Sequence, residues 1–388
     1  MSLQTCDLVA PLADFHTIPV STMTSPQLDL ALCCERQRRL ATAVESWKVD
    51  LIVLSRPESI QWATGWRTAP CFAPVVTIDR DASVTLVLPD RDVDAPAAAD
   101  VRVPYEVTRH GTLIDGQRAA SSSALASTLT SPCRIACEFS AIGQHLLGAW
   151  EAEALDLEPT LFCLRRRKDA DELAMLKKAA DANRAMYETA REIVTPGVHE
   201  LELYGALFEV AVHELGEPPT YFGQDFQCNS RGGSPRNRRA EEGELYILDL
   251  GVGYRGYYSD NARTFAVGGN PTEDQLRAWG NVAQVFGLFE NRVRPGVSCR
   301  QLFEEVQCAL DRSEPWVFDH HLGHGLGLAP HEAPHLNPRW DDYFEEGDVF
   351  AVEPGLYHGN LRTGVRLEQN YRVIADGIEL LSDWPLTL

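Results

Sequence analysis

The second half of the chain repeats itself. VTPGVHELEL (194–203) returns 99 residues later as VRPGVSCRQL (293–302); both run V-x-P-G-V into a leucine at the same offset and open a predicted helix. GELYILDLG (243–251) returns 104 residues later as GDVFAVEPG (347–355), a match that sets Asp249 against Glu353. Asp260 lies eleven residues past Asp249, and Glu368 lies fifteen past Glu353. Short apolar strands resemble one another by chance, but two matches in the same order at nearly equal offsets favour duplication. Each half then supplies a helix, a strand, a carboxylate, a second strand and a second carboxylate. Such a chain is expected to fold as two α/β halves facing each other about a pseudo-two-fold axis, with four carboxylates converging between them.

Four carboxylates share an interior only if something cationic neutralises them, because an unpaired buried charge costs several kcal/mol or takes up a proton. A pair of divalent metals meets that need. Carboxylates suit manganese, and an added imidazole suits Mn, Co, Fe or Zn. DHHLGHGLGLAPHEAPH (319–335) holds five of the eleven histidines, and its glycines let backbone approach a site closely.

Ahead of the repeat, helix and strand alternate. RQRRLATAVESW is helix-like and VDLIVLS reads as a buried strand. APVVTID and SVTLVLP form a strand pair around an RDA turn, and CRIACEF is another short strand. Residues 1–30 lack periodicity and read as an irregular lead-in. From EPTLFCLRRRKDADELAMLKKAADANRAMYETAREIV onward a single long amphipathic helix is expected. Met175, Ala179, Ala182, Met186 and Ile193 share one of its faces, and Asp169 with Glu172 makes a capping-box start. The boundary is placed near residue 160, giving two domains, 1–160 and 161–388. The class is α/β (α+β).

Charge and composition narrow the partners. A formal net charge of −21 argues against nucleic acid and against an anionic membrane surface. No Lys or Arg precedes Arg36 and no apolar run is long enough to cross a bilayer, so a cytoplasmic protein is expected. Of the ten cysteines, neither Cys33/Cys34 nor Cys133/Cys137 has a matching pair. They read as reduced, mostly buried thiols, with a cysteine-built zinc site as the alternative. Against this background NSRGGSPRNRR (229–239) stands out, with four arginines in eleven residues.

ILDLGVGYRGYYSDNARTF, HHLGHGLGLAPHE, FAVEPGLY and GVRLEQN resemble, in order and spacing, the four signature blocks of one superfamily. It comprises prolidase, aminopeptidase P, methionine aminopeptidase and creatinase, the pita-bread metallohydrolases. The resemblance covers most of 161–388. DLIVLSRPESIQWATGW and IACEFSA extend it more weakly to the creatinase-like N-terminal domain of the prolidase branch, which simple methionine aminopeptidases lack.

The resemblance implies a site with two divalent metal ions per chain, manganese favoured over Co, Zn or Fe. Asp249 would bind one metal bidentately, and Asp260 and Glu368 would bridge the two. His324 and Glu353 would bind the other. Metals about 3.5 Å apart share a water and make hydroxide near neutral pH. Glu353 would also relay a proton to the leaving nitrogen. His320 and His331 match histidines that touch the substrate carbonyl or the tetrahedral intermediate; holding the metal-bound carboxylates from behind is the alternative. Arg366 matches an arginine that orients the ligands or meets a substrate carboxylate, with a structural salt bridge as the other reading. His321 and His335 match no role and are expected in solvent or core.

One position departs. Relatives carry a histidine about seventeen residues before the first metal-binding aspartate; counting back from Asp249 reaches Gly232, and no histidine occurs between His213 and His320. Beside that gap, Arg231 or Arg236 would grip a substrate carboxylate, or both would lie in a surface turn. Arg238 and Arg239 are expected in solvent. Ala351 and Ile374 stand where relatives often have Thr, a change expected to alter hydrogen bonds behind the ligands more than metal binding.

The resemblance thus implies a dinuclear metallopeptidase cutting the Xaa–Pro bond of a short proline-containing peptide. It is most similar to Xaa-Pro dipeptidase, with aminopeptidase P as the near alternative and a homodimer as the expected assembly. A non-peptidase of the same fold stays open: a C–N hydrolase like creatinase or ectoine hydrolase, or a metal-dependent lyase. A binding module reusing the fold, as in some chromatin chaperones, is disfavoured because all five ligand positions are kept.

Overall fold

The computed structural model describes residues 25–107 and 114–388, so most of the lead-in assigned to 1–30 lies outside the described residues. The front of the chain runs α1 (Leu30–Val44), β1 (Leu51–Leu54), α2 (Pro57–Thr64), β2 (Val75–Asp79), β3 (Val84–Pro89), β4 (Val101–Tyr105), α3 (Ile114–Thr128), β5 (Arg134–Cys137), α4 (Gln144–Trp150) and β6 (Glu153–Asp156). Its six strands form one mixed sheet in the order β4-β3-β2-β1-β5-β6. The expected pair β2–β3 is antiparallel, while β5 lies parallel to β1. The unbroken apolar runs have a physical reason: the sheet is covered on both faces. Ile52, Leu54, Val76, Ile78 and Leu86 join the core beneath α1, whereas Leu51, Val53, Val75, Val87 and Ile135 pack with Leu125 of α3 and Trp150 of α4.

The long helix expected across residue 160 is two helices, α5 (Glu158–Arg166) and α6 (Ala170–Ile193). Arg167 is extended and ends α5. Asp169 then starts α6, its own N–H donating to Glu172 at 3.0 Å. Charge explains the break. Arg165 and Arg166 are buried, and they are drawn to Glu332 and to Asp348 and Asp342 in the last third of the chain. The apolar face of α6 behaves as its periodicity predicts: Met175, Ala179, Ala182 and Met186 are buried. A second tie comes from α1, where fully buried Arg36 meets Asp169, Asp171 and Glu172 at the start of α6.

The remainder runs α7 (Glu200–Leu215), β7 (Tyr221–Asp225), β8 (Leu245–Tyr254), β9 (Tyr257–Ser259), β10 (Ala262–Ala266), α8 (Glu273–Arg292), α9 (Cys299–Leu310), β11 (Gly323–Gly325), β12 (Glu332–Leu336), β13 (Val349–Val352), β14 (Gly355–His358), β15 (Thr363–Arg366), β16 (Gln369–Ile374) and β17 (Gly377–Leu380). One sheet is β10-β8-β7 with β9 on β8; another is β12-β11-β13-β16-β17; β14 and β15 pair separately.

The sequence repeat is a structural repeat down to single hydrogen bonds. Gly197 and Gly296 have φ of 91° and 88°, a region open to glycine. The Gly197 N–H donates to Ala240 O and that of Gly296 to Phe344 O, both at 2.8 Å. At the strand entries Gly243 N donates to Val267 O and Gly347 N to Val373 O, both at 2.9 Å. Helices α6 and α7 cover β8, and α8 and α9 cover β13 and β16. Each half thus packs a helix pair over a strand that carries a carboxylate, Asp249 within β8 and Glu353 just after β13.

The nine cysteines among the described residues are all free, but only four are buried, fewer than expected. None belongs to a cluster of possible metal ligands found among the described residues.

Candidate metal centre

Alternation along β8 aims Asp249. Tyr246, Leu248, Leu250 and Val252 face the core beneath α6 and α7, so the odd-numbered residues face the other way. Within the sheet Asp249 lies opposite Asp225 of β7 on one side and Ala262 of β10 on the other. Asp260 sits between β9 and β10, where its Oδ2 accepts from Gln224 Nε2 at 2.9 Å and its carbonyl from Asn370 Nδ2 at 2.7 Å. Glu368 lies between β15 and β16, its N–H bonded to Ala262 O at 3.0 Å. Glu353 immediately follows β13.

His324 comes from β11, a three-residue strand wedged between β12 and β13. Its glycine neighbours allow that closeness. A Cβ on Gly323 would stand 2.0 Å from Ala351 O, and one on Gly325 2.0 Å from Ala333 O. Ala351, directly across from His324, is fully buried in this ladder.

These side chains converge. Asp249, Asp260 and Glu368 each offer an oxygen, and those three atoms lie within 4.8 Å of one another. Asp260, His324 and His331 form a second such group, so Asp260 belongs to both. His324 Nε2 is also 3.6 Å from Glu353 Oε1. Asp249 Oδ1, Asp260 Oδ1 and Glu368 Oε1 are buried with no hydrogen-bond partner. Buried carboxylate oxygens normally have partners, and an oxygen-rich set with one imidazole is suited to divalent cations. The residues present therefore fit bound divalent metal.

The electrostatics agree. Burial is the main force raising the pKa of each acid. Asp249 is held above the usual carboxylate range, although Arg366 opposes this, and Glu353 is pushed up to about 8, with Asp249 adding to burial. Asp260 and Glu368 lie well above the range, each also repelled by neighbouring carboxylates. Burial also holds the His324 imidazolium back strongly, and that of His331 in the same direction. Neutral imidazole is the state that ligates metal.

Around this centre the other predicted residues separate. His331 stacks on His324, ring centroids 3.8 Å apart and 7° from parallel. His320 reaches the cavity with both ring nitrogens engaged, by His321 O at 2.7 Å and Tyr357 Oη at 2.9 Å. Burial lowers its pKa to about 4. Neutral, with Nδ1 facing a carbonyl, it holds its proton there and accepts at Nε2 from the tyrosine. Arg366 turns inward, donating to Asp249 Oδ2 at 2.8 Å, to Asp225, and to the Arg231 carbonyl at 3.0 Å.

The arginines of NSRGGSPRNRR divide differently from the expectation. Arg231 stands at the cavity rim, paired with Asp319 and lying 3.9 Å over the Tyr357 ring. Arg236 is a correction to the candidate substrate contacts: buried Glu200 holds it at 2.7 Å and the Cys228 carbonyl at 2.6 Å, and it does not line the cavity. Arg238 is not solvated either, since it pairs with buried Glu244 at 2.5 Å. Glu200 and Glu244 need positive partners, and the loop supplies them. Arg239 is exposed, as expected.

Four cavity residues carried no usable sequence signal: Gln224, Asp225, His321 and Tyr357. His321, expected in solvent or core, lies 3.5 Å from Glu353 Oε1. His335, likewise without an expected role, packs edge-on against Trp340 in the neighbouring groove. The cavity over the carboxylates holds about 290 Å³ and continues past His320, His321, His324 and His331 into that groove of about 580 Å³, lined by Phe303, Pro338 and Trp340.

Comparison with known proteins agrees with this arrangement. The profile of metallopeptidase family M24 matches residues 174–375, slightly more than half of the chain. An uncharacterized peptidase of Staphylococcus aureus is 24% identical over 358 residues, covering 89% of this chain and 98% of the relative. The Xaa-Pro dipeptidase from Bacillus anthracis superposes with a TM-score of 0.77 at 26% identity, over 92% of this chain and 99% of that one. The prolidase from Pyrococcus horikoshii OT3 does so with a TM-score of 0.76 at 21% identity, over 90% and 99%. No helix among the described residues is long and apolar enough to cross a membrane.

Proposed function

The chain belongs to metallopeptidase family M24, and on that premise we propose that it is a dinuclear-metal hydrolase that cuts the Xaa–Pro bond of short peptides, dipeptides above all. The observation that carries this reading is the sharing of Asp260 between two ligand groups beside three partnerless buried oxygens. Asp249, Asp260 and Glu368 would hold one cation, and Asp260, Glu368, His324 and Glu353 the other. Manganese is favoured for so oxygen-rich a set. Such a pair, when bound, supplies Lewis acidity and an acidified water.

The chain's own groups do the rest. Glu353 takes the proton that the attacking water gives up and passes it to the leaving nitrogen. His331, beside His324 and open to the cavity, donates to the developing oxyanion, an interaction worth about 3–4 kcal/mol where such donors have been removed. His320 holds Tyr357, and Tyr357 with Asp319 holds Arg231. That leaves Arg231 to receive the free carboxylate of a dipeptide at the rim. A homodimer belongs to the same reading, as does a reducing cytoplasm, which suits the nine free cysteines among the described residues.

The test is turnover of Xaa-Pro dipeptides with added Mn²⁺. Activity only on longer Xaa-Pro-Yaa peptides moves the assignment to aminopeptidase P. The two loop arginines give a sharper check. Arg231→Ala is expected to raise KM for a dipeptide about tenfold with kcat little changed, the loss of one charge-assisted contact. Arg236→Ala is expected to leave KM alone and destabilise the fold by about 1–3 kcal/mol, because buried Glu200 keeps its backbone donors but loses its guanidinium partner. Equal KM effects refute this division.

A second reading has one observation behind it. Gly232 stands at the sequence position where the resembled family carries a histidine, and the Asp225 carboxylate packs against it, which favours a non-peptidase C–N hydrolase of the same fold. Activity on a non-peptide amide, with none on Xaa-Pro peptides, selects it.

A further inference from the structure

Asp225 ends β7 opposite Asp249, and the mechanism above gives it no task. Its carboxylate accepts from Gly233 N at 2.6 Å and from the Arg366 guanidinium. Arg366 reaches Asp249 only at Oδ2, and Asp249 Oδ1 keeps no donor. The glycine at 232 follows from packing. A Cβ there would lie 2.4–2.6 Å from the three carboxylate atoms of Asp225, and Gly232 itself has no left-handed φ that would demand glycine. The position can carry a side chain only if Asp225 gives up its place.

We infer that Asp225 is a positioning residue for the metal centre: it fills the space of the absent histidine and holds one side of Arg366, so that the guanidinium leaves one oxygen of Asp249 free. The inference rests on the metal reading above. A guanidinium prefers to grip a carboxylate with two parallel bonds. Released from Asp225, Arg366 would close over both oxygens of Asp249 and compete with the cation. Removing Asp225 also takes one negative charge from the cavity, which acts in the same direction.

The experiment is calorimetric titration of the metal-free full chain with Mn²⁺. Asp225→Asn is expected to weaken binding about tenfold or more, the scale found for outer partners of metal ligands. Gly232→Ala keeps every charge but displaces the Asp225 carboxylate, so it is expected to weaken binding in the same direction, and it decides the matter if the first variant folds poorly. In an Arg366→Gln background, Asp225→Asn is expected to lose less than about threefold, because the group it acts through is gone. Affinities of Asp225→Asn and Gly232→Ala within about twofold of the unmodified chain overturn the role, as does a full tenfold loss that persists without Arg366. An unmodified chain that binds no Mn²⁺ overturns the metal reading and this inference with it; normal binding with indifferent variants overturns only Asp225.

Discussion

Simultaneous Asp260→Ala and Glu368→Ala is expected to leave a folded chain that binds no Mn²⁺ and turns over dipeptides more than about a hundredfold more slowly, beyond the usual cost of losing an outer partner of a ligand. Asp260 is the common member of the two ligand groups, and Glu368 completes the acidic one. Both carboxylates are buried, and each has an oxygen without a hydrogen-bond donor. Alanine at both positions removes two buried acids that ionise only at a cost without a cation, so the fold should survive in the absence of metal. Metal analysis of the purified variant reads the outcome, with near-UV circular dichroism to show that it is folded. Two metals retained per chain would remove Asp260 and Glu368 from the bridging roles.

The second large effect is on stability against pH. In the metal-free chain Asp249, Asp260, Glu353 and Glu368 have pKa values raised above those of the unfolded chain, Glu353 to about 8. A group with a raised folded pKa binds more protons in the native than in the unfolded state. Stability then falls as pH rises, by about 1.4 kcal/mol per pH unit for each proton of difference. The contribution is full below about pH 4.5, the ordinary carboxylate range, and for Glu353 it is lost progressively up to about pH 8. His320, His321, His324, His331 and His335, whose pKa values burial lowers, act in the opposite sense up to about pH 6.5, so metal-free protein is expected to weaken chiefly between about pH 6.5 and 8, by about a few kcal/mol. Saturating Mn²⁺ should cancel or reverse that slope, because a cation favours the ionised acids and binds only the native site. Urea denaturation at a series of pH values, with and without Mn²⁺, measures it. A metal-free chain whose stability is flat across this range would show that the four acids are ionised without a cation.

Much of the site was legible because its parts lie in short, ordered motifs. Asp249 was visible as a charge in an apolar run that alternation aims one way, and its repeat partner Glu353 followed from the duplicated strand. His324 was marked by glycines on both sides, which the backbone carbonyls of Ala351 and Ala333 require. Other features depended on distant partners. The helix drawn through residue 167 failed because Arg165 and Arg166 answer to Glu332 and Asp348, more than 160 residues away, and no local pattern records that pull. His320 and His321 are neighbours in sequence, yet one meets Tyr357 and the other Glu353.

The sequence by itself determined the duplicated architecture, the four acids and one imidazole that meet between the halves, and the anomaly at Gly232. These are periodic or covalently local properties, written in spacing and residue type. Only the tertiary structure decided how the charges pair. It sent Arg236 and Arg238 to buried Glu200 and Glu244, left Arg231 at the rim, and set Asp225 against Arg366 in the space beside Gly232. An arginine side chain spans several ångströms and takes whichever carboxylate the fold brings within reach, so its partner is a property of packing.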